Sequence, residues 1–145
     1  MGTESIRERI DLGAREITRL YQRIDETFAH RGEGKAQRDL WSNACSEFHS
    51  RYSELAFPGG YDGAHERILA GESLAVEAAI CFLERRPYFH RSGYMYKQLL
   101  RKVRRAPLTT EQSKRFAIVL IRVQEWRARK EGLACGLTPP SSGQP

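Results

Sequence analysis

Apolar residues recur near the N-terminus at the spacing of a single helix face. Successive members are separated by four or three residues in alternation, and many of the positions between them are charged. The apolar series is Ile6, Ile10, Gly13, Ile17, Leu20 and Ile24. This heptad spacing predicts a long first helix, with Thr3 or Ser5 as its N-cap and the glycines of HRGEG at 30–34 as its end. The apolar face would pack either on another helix of the same chain or on a second copy in a homodimer, and the short chain favours the first arrangement.

Further helices lie on both sides of a glycine-rich break. Residues 35–56 predict a second helix. Its apolar stripe comprises Trp41, Cys45, Phe48, Tyr52 and Leu55, with Leu40 and Ala44 beside it. The break, FPGGYDG at 57–63, contains one proline and three glycines, so it does not continue the helix. After it, AHERILAG predicts a short helical turn, and SLAVEAAICFLERRP predicts a buried helix with Ser73 as N-cap and Pro87 after its end.

The last part of the pattern predicts two more helices. Ser92 is suited to cap a helix over residues 93–106. Thr109 with Gln112 has the spacing of a capping box for a final helix over residues 110–131. The segment FAIVLI within that helix has strand propensity, but its helix-forming flanks favour a helix.

No segment shows the alternation of a strand or the turn of an Asn-Gly hairpin, so the sequence predicts an all-α fold. We expect about five main helices in antiparallel hairpins, arranged as a helical bundle or as a short solenoid-like stack. The helices are expected to form a single domain over residues 1–131. The composition of residues 132–145 predicts a disordered C-terminal tail.

The 145-residue chain has an ordinary globular composition, with 40% hydrophobic and 29% charged residues. No apolar run has the length that spans a bilayer, and MGTESIRERI lacks the basic and apolar regions of a signal peptide. Three widely spaced cysteines, Cys45, Cys81 and Cys135, are typical of free thiols in a reducing compartment. We therefore expect a cytoplasmic protein without membrane attachment.

Residue patterns that carry known chemistry are incomplete in this sequence. Cys45 and His49 share one helix face, but a zinc site needs a third and usually a fourth ligand. HERIL begins like the metalloprotease motif HExxH and has Leu69 where the second histidine belongs. Ser92 and His90 lie close in sequence without the turn that exposes a nucleophilic serine. The sequence therefore predicts no enzyme activity, no metal and no cofactor.

Charge is distributed unevenly along the chain. The net charge is +6, yet residues 1–84 carry ten basic and fifteen acidic side chains, a net charge of −5. Residues 85–105, RRPYFHRSGYMYKQLLRKVRR, carry eight basic side chains, four aromatic rings and no acidic residue. Residues 106–145 have a net charge of +3. Such asymmetry bears on how a protein associates with partners rather than on how it folds.

Helical spacing separates the basic stretch into a core stripe and a charged face. Met95, Leu99 and Val103 recur at core spacing, and the cations fall on an adjoining face. Tyrosine and arginine dominate binding hot spots between proteins, and they also stack on bases and neutralise phosphates. The residues predicted to bind a partner are Tyr88, His90, Arg91, Tyr94, Lys97, Arg101, Arg104 and Arg105. Two other interpretations remain open: the face is merely solvated, or its charge is matched by the acidic half within the fold.

These observations lead to two hypotheses about function. The first is a non-catalytic protein-binding module, either an adaptor or an inhibitor of the immunity-protein type, that binds a protein partner through a charged face. An acidic partner would contact the basic stretch, whereas a basic partner would contact the acidic half. The alternative is a nucleic-acid-binding protein that uses the basic 85–105 face. A membrane-surface helix ranks last, because the apolar stripe of residues 93–106 is narrow and lacks tryptophan.

Overall fold

The computed structural model describes the backbone of residues 2–137 and the side chains of residues 2–132. Within that part of the chain all regular secondary structure is helical, which confirms the all-α prediction. The six helices are α1 Thr3–Phe28, α2 Lys35–Ala56, α3 Ala64–Leu69, α4 Ser73–Arg85, α5 Ser92–Arg104 and α6 Thr110–Leu137. Five of them are the predicted main helices, and α3 is the short turn expected after the glycine-rich break.

The helices fall into two compact units, which divide between Leu108 and Thr109. The first unit contains α1 to α5, and the second contains α6. The single domain expected over residues 1–131 stays a prediction. Helix α6 continues to Leu137, beyond the predicted end of the last helix, and residues 138–145 of the predicted disordered tail lie outside the described residues.

Helix α4 is the most thoroughly buried long helix of the first unit. Its buried residues include every position from Ala78 to Leu83. A helix that is apolar on nearly every side has to be covered on nearly every side, and α4 packs against α1, α3 and α5. The Phe82 ring also contacts Phe57 and Phe89, with ring centroids 6.3 and 6.2 Å apart. These contacts attach the loops that precede α3 and α5 to the core.

Helices α1 and α2 form a tight antiparallel hairpin. Gly13 of α1 lies against Leu55 of α2, and a Cβ atom at residue 13 would overlap the Leu55 carbonyl oxygen. Near the connecting turn, the Phe28 ring meets Trp41 edge to face with centroids 5.9 Å apart. The heptad positions from Ile6 to Leu20 are buried. These residues therefore pack within the chain. A homodimer through this face would need an exposed apolar stripe, and these positions do not provide one.

Ion pairs join α1 to α2 in a single register. Arg23 Nη1 lies 2.8 Å from Glu47 Oε1, and Arg51 Nη1 lies 2.9 Å from Glu16 Oε2. Glu16 also accepts two hydrogen bonds from Arg19, and the hydrogen bonds from Arg19 and Arg51 lower the pKa of Glu16 to about 2. Because exposed ion pairs contribute little to stability individually, their main effect is to select this register over others.

Polar contacts also set the direction of α4 relative to α1. The Thr3 hydroxyl donates to Glu77 Oε2 at 2.9 Å, and the Arg85 guanidinium binds both carboxylate oxygens of Asp11. Because the earlier residues pair with earlier ones and the later with later ones, the two helices run in the same direction. The predicted cap of α1 is wrong, since Gly2 is at the N-cap and neither Thr3 nor Ser5 makes a side-chain cap hydrogen bond.

Of the caps predicted for α4 and α6, one is wrong and the other is confirmed. Helix α4 begins at Ser73, and Glu72 occupies its N-cap without a side-chain hydrogen bond, so the Ser73 cap prediction is wrong. The α6 capping box is confirmed, because the Gln112 N–H donates to Thr109 Oγ1 and the Thr109 N–H donates to Gln112 Oε1, both at 3.1 Å. A reciprocal pair within one turn depends only on local sequence, whereas a lone serine or threonine has competing partners elsewhere.

The close approach at Gly13 predicts that Gly13→Ala destabilises the protein. The added methyl group would collide with a backbone carbonyl oxygen, which has little freedom to move. We expect a loss of about 3 kcal/mol in the free energy of unfolding, measured by urea denaturation. Gly93→Ala is the matched control, because a Cβ there meets nothing within 4 Å and alanine favours helix, so it should be neutral or stabilising by up to about 1 kcal/mol. Equal effects of the two substitutions would contradict the close approach.

The lowered pKa of Glu16 predicts a carboxylate that stays ionised in acid. Its folded-state pKa of about 2 lies below the ordinary value of 4.5, so its ion pairs stabilise the fold above pH 4.5, and this contribution is lost as the pH falls toward 2. Titration of the side-chain carboxyl carbon by NMR measures the shift directly. Arg19→Gln should raise the pKa of Glu16 toward its ordinary value, whereas Arg15→Gln, at an exposed position outside this cluster, should leave the titration curve unchanged.

Candidate partner-binding face

Helix α5 and its C-cap present opposite sides to the core and to solvent. The buried residues include Met95, Leu99 and Val103, which are the three positions of the predicted core stripe. Five exposed residues lie on the other side, within roughly 100° of arc and along roughly 16 Å of the helix axis. They are Tyr94, Lys97, Arg101, Arg104 and Arg105, and we call them the basic face. The structure therefore separates the apolar and cationic positions of this stretch.

The four cations of the basic face are not neutralised by the described part of the chain. None of them forms an ion pair or a side-chain hydrogen bond with a described residue. Among the other basic residues of the stretch, Arg85 pairs with Asp11, and Arg86 lies over the Tyr96 ring, 4.9 Å from its centroid. The charge match that was considered between the basic stretch and the acidic half is thus found at Arg85 and does not extend to the basic face.

The acidic half of the chain pairs its carboxylates mainly with basic residues of the same half. The pairs within this half include Arg19 with Glu16, Arg23 with Glu47, Lys35 with Asp39 and Arg67 with Glu72. Three of these four pairs join residues that are three to five positions apart, and Arg23 with Glu47 joins α1 to α2, so the pairing is local. These carboxylates of the acidic half therefore form ion pairs within that half.

The loop between α4 and α5, residues 86–91, is held by hydrogen bonds and ring contacts. Phe89 is buried, and its N–H donates to Ser92 Oγ at 3.0 Å. The Tyr52 hydroxyl donates to the His90 carbonyl oxygen at 2.7 Å, and the His90 ring stacks on Tyr21 with centroids 4.4 Å apart. Burial raises the pKa of the Tyr52 hydroxyl, which keeps it a hydrogen-bond donor at neutral pH. The loop backbone is thereby fastened to α1, α2 and α5.

Tyr88 and Arg91 extend from this restrained loop. Tyr88 is 93% exposed, and Tyr94 in the first turn of α5 is 63% exposed. Arg86 and Arg91, at the two ends of the loop, adopt left-handed backbone conformations with φ of 49° and 69°. Such conformations are unfavourable for residues other than glycine and persist where surrounding contacts over-determine the backbone. A loop already restrained in this way loses little further entropy when a partner binds to it.

The structure divides the eight residues predicted to bind a partner into two groups. All eight are exposed, namely Tyr88, His90, Arg91 and the five residues of the basic face. The His90 ring, however, stacks on Tyr21 and forms a T-shaped contact with Phe48 at a centroid distance of 5.9 Å. His90 therefore positions the loop, and the other seven residues form the candidate surface.

Ser92 has a different role from the predicted one. Helix α5 begins at Ser92, and Arg91 occupies the N-cap without a side-chain hydrogen bond. The Ser92 hydroxyl instead accepts the hydrogen bond from the Phe89 N–H of the preceding loop. The serine thus stabilises the entry into the helix, although it does not cap the helix amides.

A polar cluster beside α5 was missed in the sequence. The Tyr61 hydroxyl donates to Gln98 Oε1 at 2.5 Å and lies 2.9 Å from His65 Nε2. Burial raises the pKa of Tyr61 to about 12 and lowers the pKa of His65, which the nearby Lys102 ammonium lowers further. His65 is therefore held toward its neutral form, so the cluster joins α3 to α5 through hydrogen bonds rather than charge. The i, i+4 spacing of Tyr61 and His65 was the only local signal, because Gln98 lies 37 residues from Tyr61.

The described residues contain no assembled metal site and no membrane-spanning helix. No three His, Cys, Asp or Glu side chains among them are grouped so that they could hold a metal ion. Neither Cys45, which is partly exposed, nor Cys81, which is buried, forms a disulfide with a described residue. No described helix combines the length and the apolar character needed to cross a bilayer.

Comparison of the chain with protein-family models, with curated protein sequences and with solved structures finds no match.

The contact between Phe89 and Ser92 predicts the effect of Ser92→Ala. The Phe89 N–H is buried, so removing the hydroxyl leaves a donor without a partner, and we expect a loss of about 1–2 kcal/mol in the free energy of unfolding. The Phe89 amide should also exchange its hydrogen with solvent faster, as measured by NMR. Ser42→Ala, at an exposed position of α2, is the control and should change neither quantity appreciably. Unchanged exchange at Phe89 would show that Ser92 does not restrain the loop.

Proposed function

We propose that this chain is a non-catalytic protein-binding module that recognises an acidic surface on a partner protein. The binding surface consists of the basic face together with Tyr88 and Arg91. The observation that supports the proposal is the absence of ion-pair partners for the four cations of the basic face among the described residues. An adaptor or an inhibitor would use such a surface without any catalytic group.

Electrostatic attraction is the first contribution of the basic face to binding. Cations that follow one another along one helix, with no acidic residue between them in sequence, create a region of positive potential. Such a region attracts an acidic partner and accelerates the encounter. Three of the four cations are arginines, whose planar guanidinium groups bind carboxylates through two parallel hydrogen bonds. The face is therefore suited to carboxylate groups on a protein surface.

The exposed tyrosines supply the apolar part of the contact. Tyr88 and Tyr94 present ring surface to solvent beside the cations. A tyrosine ring buries a large area on binding at a small entropic cost, and its hydroxyl group still forms hydrogen bonds at the edge of an interface. Because Tyr88 extends from a restrained loop, its backbone position is set before a partner arrives. Tyrosine beside arginine is the combination that dominates hot spots between proteins.

Nucleic acid is the alternative partner, and the distribution of charge favours it less. A nucleic acid is a polyanion that extends well beyond the roughly 16 Å of the basic face. Residues 1–84 carry a net charge of −5, which would repel the phosphates that lie outside this face. A protein partner can present a bounded acidic patch that matches the face in size. Tyrosine and arginine also stack on bases, so binding of nucleic acid is measured alongside binding of protein.

Reversing the charge of the basic face should abolish partner capture. The variant Arg101→Glu/Arg105→Glu replaces two exposed guanidinium groups with carboxylates, which an acidic partner repels. We expect recovery of its protein partner from lysate of the cells that make it to fall about tenfold or more, as quantified by mass spectrometry. The captured protein, once purified, should bind the wild-type chain and have an acidic surface.

The matched control is Arg15→Glu/Arg38→Glu, which makes the same change in net charge at exposed positions of α1 and α2. It should capture the partner as the wild type does, and circular dichroism should show that both double variants remain helical. Equal capture by the wild type and both variants would contradict the proposed surface.

Anisotropy with labelled single-stranded RNA and duplex DNA across a salt series tests the alternative, which is binding of nucleic acid. Binding that falls log-linearly with salt and is lost in Arg101→Glu/Arg105→Glu would replace the protein partner with nucleic acid.

A further inference from the structure

Helix α6 carries an exposed apolar pair that does not belong to the basic face. Ile118 is 49% exposed and Ile121 is 55% exposed, whereas Phe116, Val119 and Val123 of the same helix are buried. The two isoleucines are three residues apart, so they are neighbours on one side of the helix. Large apolar side chains that are exposed next to each other indicate a contact surface better than an isolated exposed residue does.

Opposite charges bracket this apolar pair. Lys114 lies four residues before Ile118, and Glu125 lies four residues after Ile121, so all four residues share one stripe along the helix. Neither Lys114 nor Glu125 forms an ion pair with any residue that the structure describes. From the N-terminal to the C-terminal end, the stripe therefore presents a cation, two isoleucines and a carboxylate. A second copy that runs in the opposite direction would place its carboxylate opposite the cation and its isoleucines opposite the isoleucines.

We propose that this stripe is a self-association surface, which pairs the α6 helices of two copies of the chain in antiparallel orientation. A two-fold symmetric interface uses the same surface on both copies, so the surface must be complementary to its own reverse. In the antiparallel pair, Lys114 of one copy lies level with Glu125 of the other, and Ile118 lies level with Ile121. A parallel pair would place Lys114 beside Lys114 and Glu125 beside Glu125, which like-charge repulsion disfavours.

The expected association is weak and depends on concentration. Each copy contributes only two large exposed apolar side chains. The area that they bury is much smaller than the roughly 800 Å² per partner of a standard protein interface. The two ion pairs lie at the ends of the stripe, where they are solvated and mainly select the antiparallel register. Measurement therefore has to reach high protein concentration.

Charge exchange along the stripe tests the proposal. We expect the full chain to form dimers in sedimentation equilibrium at concentrations up to about 1 mM. Lys114→Glu and Glu125→Lys should each weaken dimerisation about tenfold, because each replaces two attractive contacts per dimer with two repulsive ones. The double variant Lys114→Glu/Glu125→Lys restores complementarity and should dimerise like the wild type. An equimolar mixture of the two single variants should also dimerise, because one stripe is then acidic at both ends and the other basic.

Two comparisons separate the local interface from general charge effects. Lys114→Glu lowers the positive net charge of the chain and Glu125→Lys raises it, so general repulsion would move the two variants in opposite directions. Arg127→Glu makes the same change as Lys114→Glu on the opposite side of α6 and should leave dimerisation unaltered. Ile118→Gln should weaken dimerisation, and circular dichroism should show that it remains helical.

Two results would overturn the self-association surface. The first is a chain that remains monomeric at all concentrations up to about 1 mM. The second is a dimer that is indifferent to both single charge variants, since its interface would then lie elsewhere. Failure of partner capture by the basic face would leave this inference intact, because the two surfaces share no residue.

Discussion

The burial of α4 is the constraint on which the first unit depends. Ile80, Cys81 and Phe82 are fully buried at successive positions, so they point to different sides of the helix and no single neighbour can cover them. Helices α1, α3 and α5 pack around α4 and provide that cover. Helix α5 can turn only its apolar side inward, because burying a cation such as Arg101 would remove it from water without a compensating partner. The exposed basic face is therefore a consequence of the side of α5 that the core requires.

The same core holds the loop that precedes α5. Phe89 packs on Phe82 of α4, and its N–H is satisfied by Ser92, so the loop is attached to the core at its centre. His90 is fastened through its carbonyl oxygen and its ring, whereas Tyr88, which is 93% exposed, projects into solvent. Packing inside the unit thus determines what the loop presents outside it, and the loop requires little reorganisation to meet a partner.

Charge has two separate tasks in this molecule. On the α1–α2 hairpin, acidic and basic residues such as Glu16 and Arg51 neutralise each other across the helix contact and select its register. On the basic face, the four cations form no ion pair with a described residue, and we propose that they serve association. The charges on α6 resemble the second case, since Lys114 and Glu125 are unpaired in the described chain and bracket an exposed apolar pair. A dimer formed through α6 would carry two basic faces. It would therefore bind a partner with repeated acidic sites with higher avidity than a single chain does.

The sequence by itself determined the helices, because burial of one side of a helix imposes a 3.6-residue period that can be read without knowing the partner helix. It also determined the capping box of Thr109 and Gln112 and the separation of core and cationic positions in α5, since these depend on neighbours within one or two turns. Only the tertiary structure decided which cations are neutralised, because Arg85 and Asp11 are 74 residues apart in sequence. It likewise directed the Thr3 hydroxyl to Glu77 and brought Gln98 to Tyr61. Local patterns specify which contacts a side chain is able to make. Which of these contacts it makes depends on competition between distant partners, and that competition is resolved only when the helices pack.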